Sequence, residues 1–401
     1  MKSARSLVYG DKMIWAIYFV LCAISLIELF SASSTLAHRG SNLFGPVSGH
    51  IQHLAIGFIV VVCVSNIHYE VFKYFMYPLY VLLILSMIYL VTAGSKINDA
   101  TRWFTLMGIN IQPSEFVKVF LAFYIPYKVL EIDNEDRKAM GKMLLWITIL
   151  MSLLVFFTIS ENLSTVILWV VIILIMFFLH RMNFWFLFKY VFVPLASLLF
   201  LAIVFIKLFP DSKPAHRASV WESRVMEHKK EEVIPSASFN IPSKQYQPMH
   251  AKMGIANGCG SIKFWGKGPG NGVERNYLPE AYSDFIFAII AEECGWVGVF
   301  IVILCYFGIL VRSRDIMSCC NNRYAAGLVM CSSVIISLQA VFNMFVSVSI
   351  FPVTGQTLPL VSKGGSSIIV FSVLIGIIQS VCKYAADTEQ LNAEFEEDEK
   401  N

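Results

Sequence analysis

Apolar residues run along this chain in blocks about as long as a bilayer is thick, separated by short polar breaks. A helix that crosses the hydrocarbon core needs about 20 such residues. Blocks of that kind lie at 13–32, 50–67, 70–93, 114–131, 143–160, 162–180, 184–208, 284–312, 325–349 and 360–386. The pattern predicts an all-α polytopic membrane protein with about ten transmembrane helices. The narrowest break is Ser160-Glu161-Asn162, between the fifth and sixth blocks. A single broken helix there would invert every later orientation.

Charge decides the orientation. With the N-terminus inside, the cytoplasmic loops hold Lys73, then Arg137, Lys138 and Lys142, then Arg181, then Arg312, Arg314 and Arg323. The short outer loops hold little beyond Arg39, Lys96 and Arg102. This bias follows the positive-inside rule on both sides of the doubtful turn and predicts that both termini are cytoplasmic. Residues 1–386 then form the transmembrane domain, with a large extracytoplasmic loop at 209–283 between helices 7 and 8. Within that loop, residues 221–233 (WESRVMEHKKEEV) have spacing for an amphipathic helix on the outer leaflet, or form a solvated linker. The tail at 387–401 is acidic, lacks an apolar face and is expected to be disordered. Lys2, Arg5 and Lys12 ahead of Met13 resemble a signal peptide, but the long first run favours an uncleaved helix.

Composition agrees with the pattern. Hydrophobic residues make up 57% of the chain and charged ones 15%, well below the quarter or so of a soluble domain. A net charge of +3 is too small to indicate a nucleic-acid partner. The nine cysteines show no paired metal-ligand spacing and sit mostly in apolar runs.

Five polar constellations interrupt this background. Gly266-Lys267-Gly268-Pro269-Gly270-Asn271-Gly272 is crowded with glycine, but its spacing fails the phosphate-loop template. It reads as a tight turn or as close backbone approach to a pyrophosphate. Asp284 opens the eighth helix after Ser283, which is placed as its N-cap. There it either compensates the helix dipole or serves as a general base at the outer membrane surface, with Glu280 nearby. Arg102 and Trp103 form an interfacial anchor or a phosphate contact, and Glu115 with Lys118 makes a facing i,i+3 pair. Glu28, Glu292 and Glu293 lie within helices, where they relay protons or pair with cations such as Lys118. The stretch from Phe351 to Ser367 (FPVTGQTLPLVSKGGSS) suggests a re-entrant segment facing the same cavity as Asp284, because irregular backbone at membrane depth survives only buried in protein or lining a cavity.

Taken together, RWFTLMGINIQPSEFVK, YLPEAYSDFIFAIIAEECG and FPVTGQTLPLVSKGGSS resemble, in the same order along the chain, the signatures of the SEDS family of cell-shape and division proteins, which includes RodA and FtsW. The resemblance covers nearly the whole chain, and GKGPGNGVERN is closer to the FtsW branch. It implies a peptidoglycan glycosyltransferase of the bacterial inner membrane, with its active site facing the periplasm. Such an enzyme joins lipid II disaccharides and releases undecaprenyl pyrophosphate. It implies a class B penicillin-binding protein and other divisome proteins as partners.

The family's essential aspartate matches Asp284, and Trp103, Lys118 and Glu280 match further positions of weight. In that chemistry Asp284 accepts the proton of the attacking hydroxyl. The departing pyrophosphate is met by Arg102, Lys118, Arg217, Arg224 or a divalent ion such as Mg or Mn. Lys363 stands where the family usually has Tyr and adds a phosphate contact; Glu115 and Ser366 complete the expected substrate-binding set. Ser160–Thr165 departs from the family's usual turn and carries no transferred role. The alternatives are a lipid II flippase relying on Glu28, Glu292 and Glu293, a non-catalytic scaffold for the penicillin-binding protein, and an elongation role in place of division.

Overall fold

In the computed structural model the described residues are 10–37, 44–93, 95–97, 100–106, 109–129, 137–159, 162–180, 246–260, 264–278 and 282–398, with single positions at 185, 188–189, 219 and 226. Every apolar block becomes a helix except 184–208, which lies almost wholly outside the described residues. The helices are α1 (Lys12–Ala37), α2 (Phe44–Ser65), α3 (Phe72–Ala93), α4 (Pro113–Val129), α5 (Arg137–Ile159) and α6 (Leu163–Leu179), then α7 (Tyr246–Cys259), α8 (Ile286–Ser318), α9 (Arg323–Ser347) and α10 (Gly365–Asp398). Among the described residues seven helices are long and apolar enough to cross a membrane, and α6 is a shorter apolar helix. The chain is a polytopic helical membrane protein. The narrow break divides two helices: α5 stops at Ile159, α6 starts at Leu163, and they pack on each other.

Three departures from the sequence pattern matter. Between α3 and α4 the chain forms a small antiparallel meander, β1 (Ser95–Ile97), β2 (Ala100–Leu106) and β3 (Ile109–Ile111), with Trp103 opposite Ser95 and Phe104 opposite Ile111. Inside the large loop α7 packs along α8 and buries Ala251, Gly254 and Gly258. The loop helix expected at 221–233 lies outside the described residues apart from Met226. Finally, the last helix starts at Gly365 and not at 360, because Leu360 sits at φ 63° within an irregular stretch, and it runs on to Asp398, so 387–398 is helical where disorder was expected.

Packing follows the rules of a solvent without water. Lipid tails are as apolar as leucine, so helices associate through close approach and internal hydrogen bonds. At the start of α1, Asp11 Oδ1 accepts from Ile14 N at 2.9 Å as an N-cap. Its Oδ2 pairs with Arg312 of α8 at 2.6 Å, and its backbone N–H donates to Gln379 Oε1 of α10 at 2.7 Å. One short acidic residue thereby ties the start of α1 to α8 and α10. Between α2 and α10 glycine takes the same role: a Cβ on Gly376 would stand 2.7 Å from Val64 Cβ. Gly376→Leu is therefore expected to cost about 1–3 kcal/mol by overpacking, read as a lower melting midpoint in detergent. An unchanged midpoint would contradict the contact.

Candidate active site

Asp284 sits two residues ahead of α8, in the turn that delivers the large loop to the membrane. The sequence pattern placed it in the first helical turn with Ser283 as cap. Instead Phe285 occupies the N-cap position without a side-chain hydrogen bond, and Ser283 Oγ donates to Asp284 Oδ1 at 3.1 Å. The carboxyl is thus outside the helix, and residue 284 is partly exposed. The re-entrant stretch closes on it from one side. Lys363 N donates to Tyr282 O at 2.9 Å, and Ser362 Oγ donates to Ser283 O at 2.5 Å. A Cβ on Gly355 (φ 71°) would lie 3.6 Å from Asp284 Oδ2, so the backbone of the re-entrant stretch runs beside the acid. Lys363 Nζ lies 4.7 Å from the centre of the Tyr282 ring. The structure brings Asp284 and Lys363 to one junction.

Residues 351–364 have no helix to satisfy their backbone, and neighbouring helices supply the partners. Ser164 Oγ of α6 donates to Thr354 O at 3.1 Å, and Gln339 Nε2 of α9 to Thr357 O at 3.0 Å. Tyr306 Oη of α8 donates to Pro359 O and Ser25 Oγ of α1 to Val361 O, both at 2.6 Å. Ser25 has a single hydroxyl hydrogen, so His50 Nε2, also 2.6 Å from its oxygen, is the donor there. Within the stretch, Ser362 Oγ accepts from Leu358 N at 2.8 Å. The expectation of a buried irregular segment beside Asp284 holds in its geometry. Ser366 is only 1% exposed in the first turn of α10, away from open surface.

The pair expected on α4 forms: Lys118 Nζ donates to Glu115 Oε2 at 2.7 Å. Lys118 is fully buried, and its ammonium stands 5.3 Å from the centre of the Phe371 ring of α10. It is committed to a carboxylate, not presented to solvent. Trp103 is partly buried in β2, beside Arg102, of which the backbone is described. Glu280, Arg217 and Arg224 lie outside the described residues.

The intramembrane acids of α8 find cations other than Lys118. Glu292 Oε1 accepts from Lys267 Nζ at 2.7 Å and from Val273 N at 2.9 Å, while Oε2 accepts from Glu274 N at 3.0 Å. Glu293 accepts from Ser31 Oγ at 2.6 Å and from Gly270 N at 2.8 Å, with Arg275 at 3.4 Å. Just beyond, Gly295 breaks the helix at φ 64°, ψ −153°. The carbonyls of Glu292 and Glu293 instead receive Lys267 N at 3.0 Å and Gly268 N at 2.8 Å. The glycine-rich loop thus spends these N–H groups on the broken helix, which excludes them from a phosphate cradle. Its glycines serve close approach: a Cβ on Gly266 would meet Glu293 O and Gly295 N at 2.5 Å. Glu28 lies against the same cluster and accepts from Cys294 Sγ at 3.4 Å.

On the far side of the loop, His250 Nδ1 of α7 lies 2.5 Å from Glu274 Oε2, and its ring stacks on Tyr277 at 5.2 Å. Lys267, Arg275 and α7 were not singled out as site-forming from sequence. The signals were the small-residue spacing Ala251, Gly254, Gly258 and the carboxylates of α8 left in need of cations. Among the described residues no group of three or more His, Cys, Asp or Glu side chains comes together as a metal site.

Residues 11–387 match the cell cycle protein family that groups FtsW, RodA and SpoVE. The chain is similar to the probable peptidoglycan glycosyltransferase FtsW of Escherichia coli, 28% identical over 381 residues, 93% of this chain and 86% of that one. It is likewise 29% identical over 403 residues to the protein of the same name from Wigglesworthia glossinidia brevipalpis, 97% of this chain and 99% of that one. A solved peptidoglycan synthase complex, described as coordinating polymerization and crosslinking, contains a chain that superposes with TM-score 0.68 at 22% identity, across 94% of this chain and 98% of that one. A likeness at that identity speaks for the fold.

The helix break makes a direct prediction. Gly295 holds a backbone conformation open almost only to glycine, and a Cβ there would lie 2.4 Å from Gly266 N. Gly295→Ala is expected to cost about 1–3 kcal/mol from backbone strain alone, measured as a lower melting midpoint. Proteolysis within 264–276 should also speed up as the loop leaves the break. Wild-type values for both would remove the clasp as a structural element.

Proposed function

The chain belongs to the cell cycle protein family of FtsW, RodA and SpoVE, and from that premise we propose that it is a peptidoglycan glycosyltransferase that polymerises lipid II. The observation that carries the mechanism is the position of Asp284: outside the helix, partly exposed, and flanked by the backbone of the re-entrant stretch at Gly355. In the reaction a sugar hydroxyl attacks the anomeric carbon of a second, pyrophosphate-linked disaccharide. The new C–O bond forms as the bond to pyrophosphate breaks, and undecaprenyl pyrophosphate departs with the electron pair. The hydroxyl proton passes to the Asp284 carboxylate, which needs to lie within hydrogen-bond reach of the attacking oxygen. No second carboxylate is required, because no water is activated.

Negative charge building on the pyrophosphate calls for cations. Lys363 is the described cation at the junction with Asp284, so it is the first candidate, with Arg102, Arg217 and Arg224 proposed alongside it. Lys118, fully buried and paired with Glu115, is proposed to support the site from within the protein and not as a direct phosphate contact. A divalent ion bound to the pyrophosphate would supply further positive charge there. The FtsW name of its relatives supports a role in septal synthesis, and the basic bias of the loops supports a bacterial inner-membrane protein with its site facing the periplasm. A class B penicillin-binding protein is the proposed partner.

A flippase would keep Glu28, Glu292 and Glu293 free along a path between leaflets. Here Glu292 and Glu293 are taken up by Lys267, Arg275 and loop N–H groups, which supports polymerisation over transport. The test supplies lipid II to the purified chain together with its penicillin-binding partner and follows glycan polymer on a gel. Asp284→Asn is expected to lose about 10²–10⁴-fold in rate, the scale of a general base, with folding retained. Equal polymer from both proteins would defeat the assignment of Asp284.

A further inference from the structure

Asn343 of α9 is fully buried, and its amide reaches two backbone carbonyls from distant parts of the chain. Nδ2 donates to Gln356 O at 2.7 Å and to Asp284 O at 3.0 Å. Both amide hydrogens are in use, since an Asn side chain carries only two. The orientation is forced: turned round, its oxygen would face two carbonyl oxygens. One side chain therefore joins Asp284 itself to the re-entrant segment that passes it, alongside the links from Lys363 and Ser362 to Tyr282 and Ser283. That segment comes closest at Gly355, next in sequence to Gln356. Gln339, one turn earlier on α9, is a built-in comparison. It is equally buried and holds the same segment through Thr357, its Nε2 donating to Thr357 O at 3.0 Å and to Thr357 Oγ1 at 3.3 Å.

We propose that Asn343 is a positioning residue for the reaction assigned above, holding the turn at Asp284 against the re-entrant segment so that the carboxyl faces the attacking hydroxyl. The proposal rests on the reading of Asp284 as general base. A buried asparagine in a membrane helix can also act as plain glue between helices, worth about 1 kcal/mol. The two roles differ in what they leave unchanged. Glue lost by substitution lowers stability and lowers activity only in step with it. Positioning lost by substitution lowers the turnover of protein that is still folded, beyond any fall in stability, while substrate binding stays close to wild type, because a displacement of about 1 Å at a reacting group costs on the order of 100-fold.

The experiment compares wild type, Asn343→Leu and Gln339→Leu, each purified with its penicillin-binding partner and given lipid II. It records kcat, KM and melting midpoint. A second arm needs no activity. In Asp284→Cys, with and without Asn343→Leu, the rate of thiol labelling at residue 284 by a charged maleimide is read by peptide mass spectrometry. The expected result is a kcat lower by about 100-fold in Asn343→Leu with KM little changed, read on folded protein well below each variant's melting midpoint, a much smaller loss in Gln339→Leu, and labelling several-fold faster once Asn343 is replaced. Wild-type kcat in Asn343→Leu, equal losses in the two amide variants, or loss that only follows melting would each overturn the proposal. Should the wild type make no polymer, the enzymatic reading fails. The labelling arm then decides the positioning alone, faster labelling supporting it and an unchanged rate removing it.

Discussion

Within hydrocarbon a backbone N–H or C=O without a partner costs several kcal/mol, and there is no water to help. Most of this chain meets that demand by being helical. Residues 351–364 do not, so Ser25, Ser164, Tyr306, Gln339 and Asn343, drawn from four helices, reach in to satisfy their carbonyls. The consequence is architectural. Because the irregular segment is tolerated only where those helices converge, its path fixes how α1, α6, α8 and α9 stand relative to one another, and it brings Gly355 and Lys363 to the turn containing Asp284.

The second constraint is buried charge. An ionised carboxylate taken from water is affordable only with cations and hydrogen-bond donors around it. Glu292 and Glu293 meet this condition by gathering Lys267, Arg275, Ser31 and loop N–H groups at the point where Gly295 opens the helix. The end of the large loop is consequently pinned to α8 about eight to ten residues along from Asp284. The acid thus stands between two anchored segments, the glycine-rich loop on one side in sequence and the re-entrant stretch on the other. A rigid frame of this kind suits a reaction in which a proton acceptor has to meet a hydroxyl within hydrogen-bond distance.

Legibility differed by type of signal. The i,i+3 pair of Glu115 and Lys118 was readable because both ends lie on one helix and its spacing is set locally. The re-entrant stretch was readable from prolines and glycines where a span should begin. The partners of Glu292 and Glu293 were not, and Lys118 was the wrong cation to expect, because Lys267 and Arg275 reach α8 only through a loop folded back upon it. The glycines of that loop signalled close approach correctly, yet what they approach is a helix break and not a phosphate. Ser283 was misplaced as a cap because helix termini depend on where the incoming chain is held, and here Ser362 and Lys363 hold it.

The sequence by itself determined the helical spans within the described residues, the motifs at Asp284, Lys118 and Lys363, and the family, while its basic loops imply the orientation. These depend on apolar length, charge bias and short-range spacing, all of which act along the chain. Only the tertiary structure decided which cations neutralise the acids of α8, that α7 lies along that helix, and that Asn343 bridges Asp284 to Gln356. Each of these joins residues whose separation is set by packing in three dimensions. No pattern along the chain encodes a distance between an amide on α9 and a carbonyl 59 residues away.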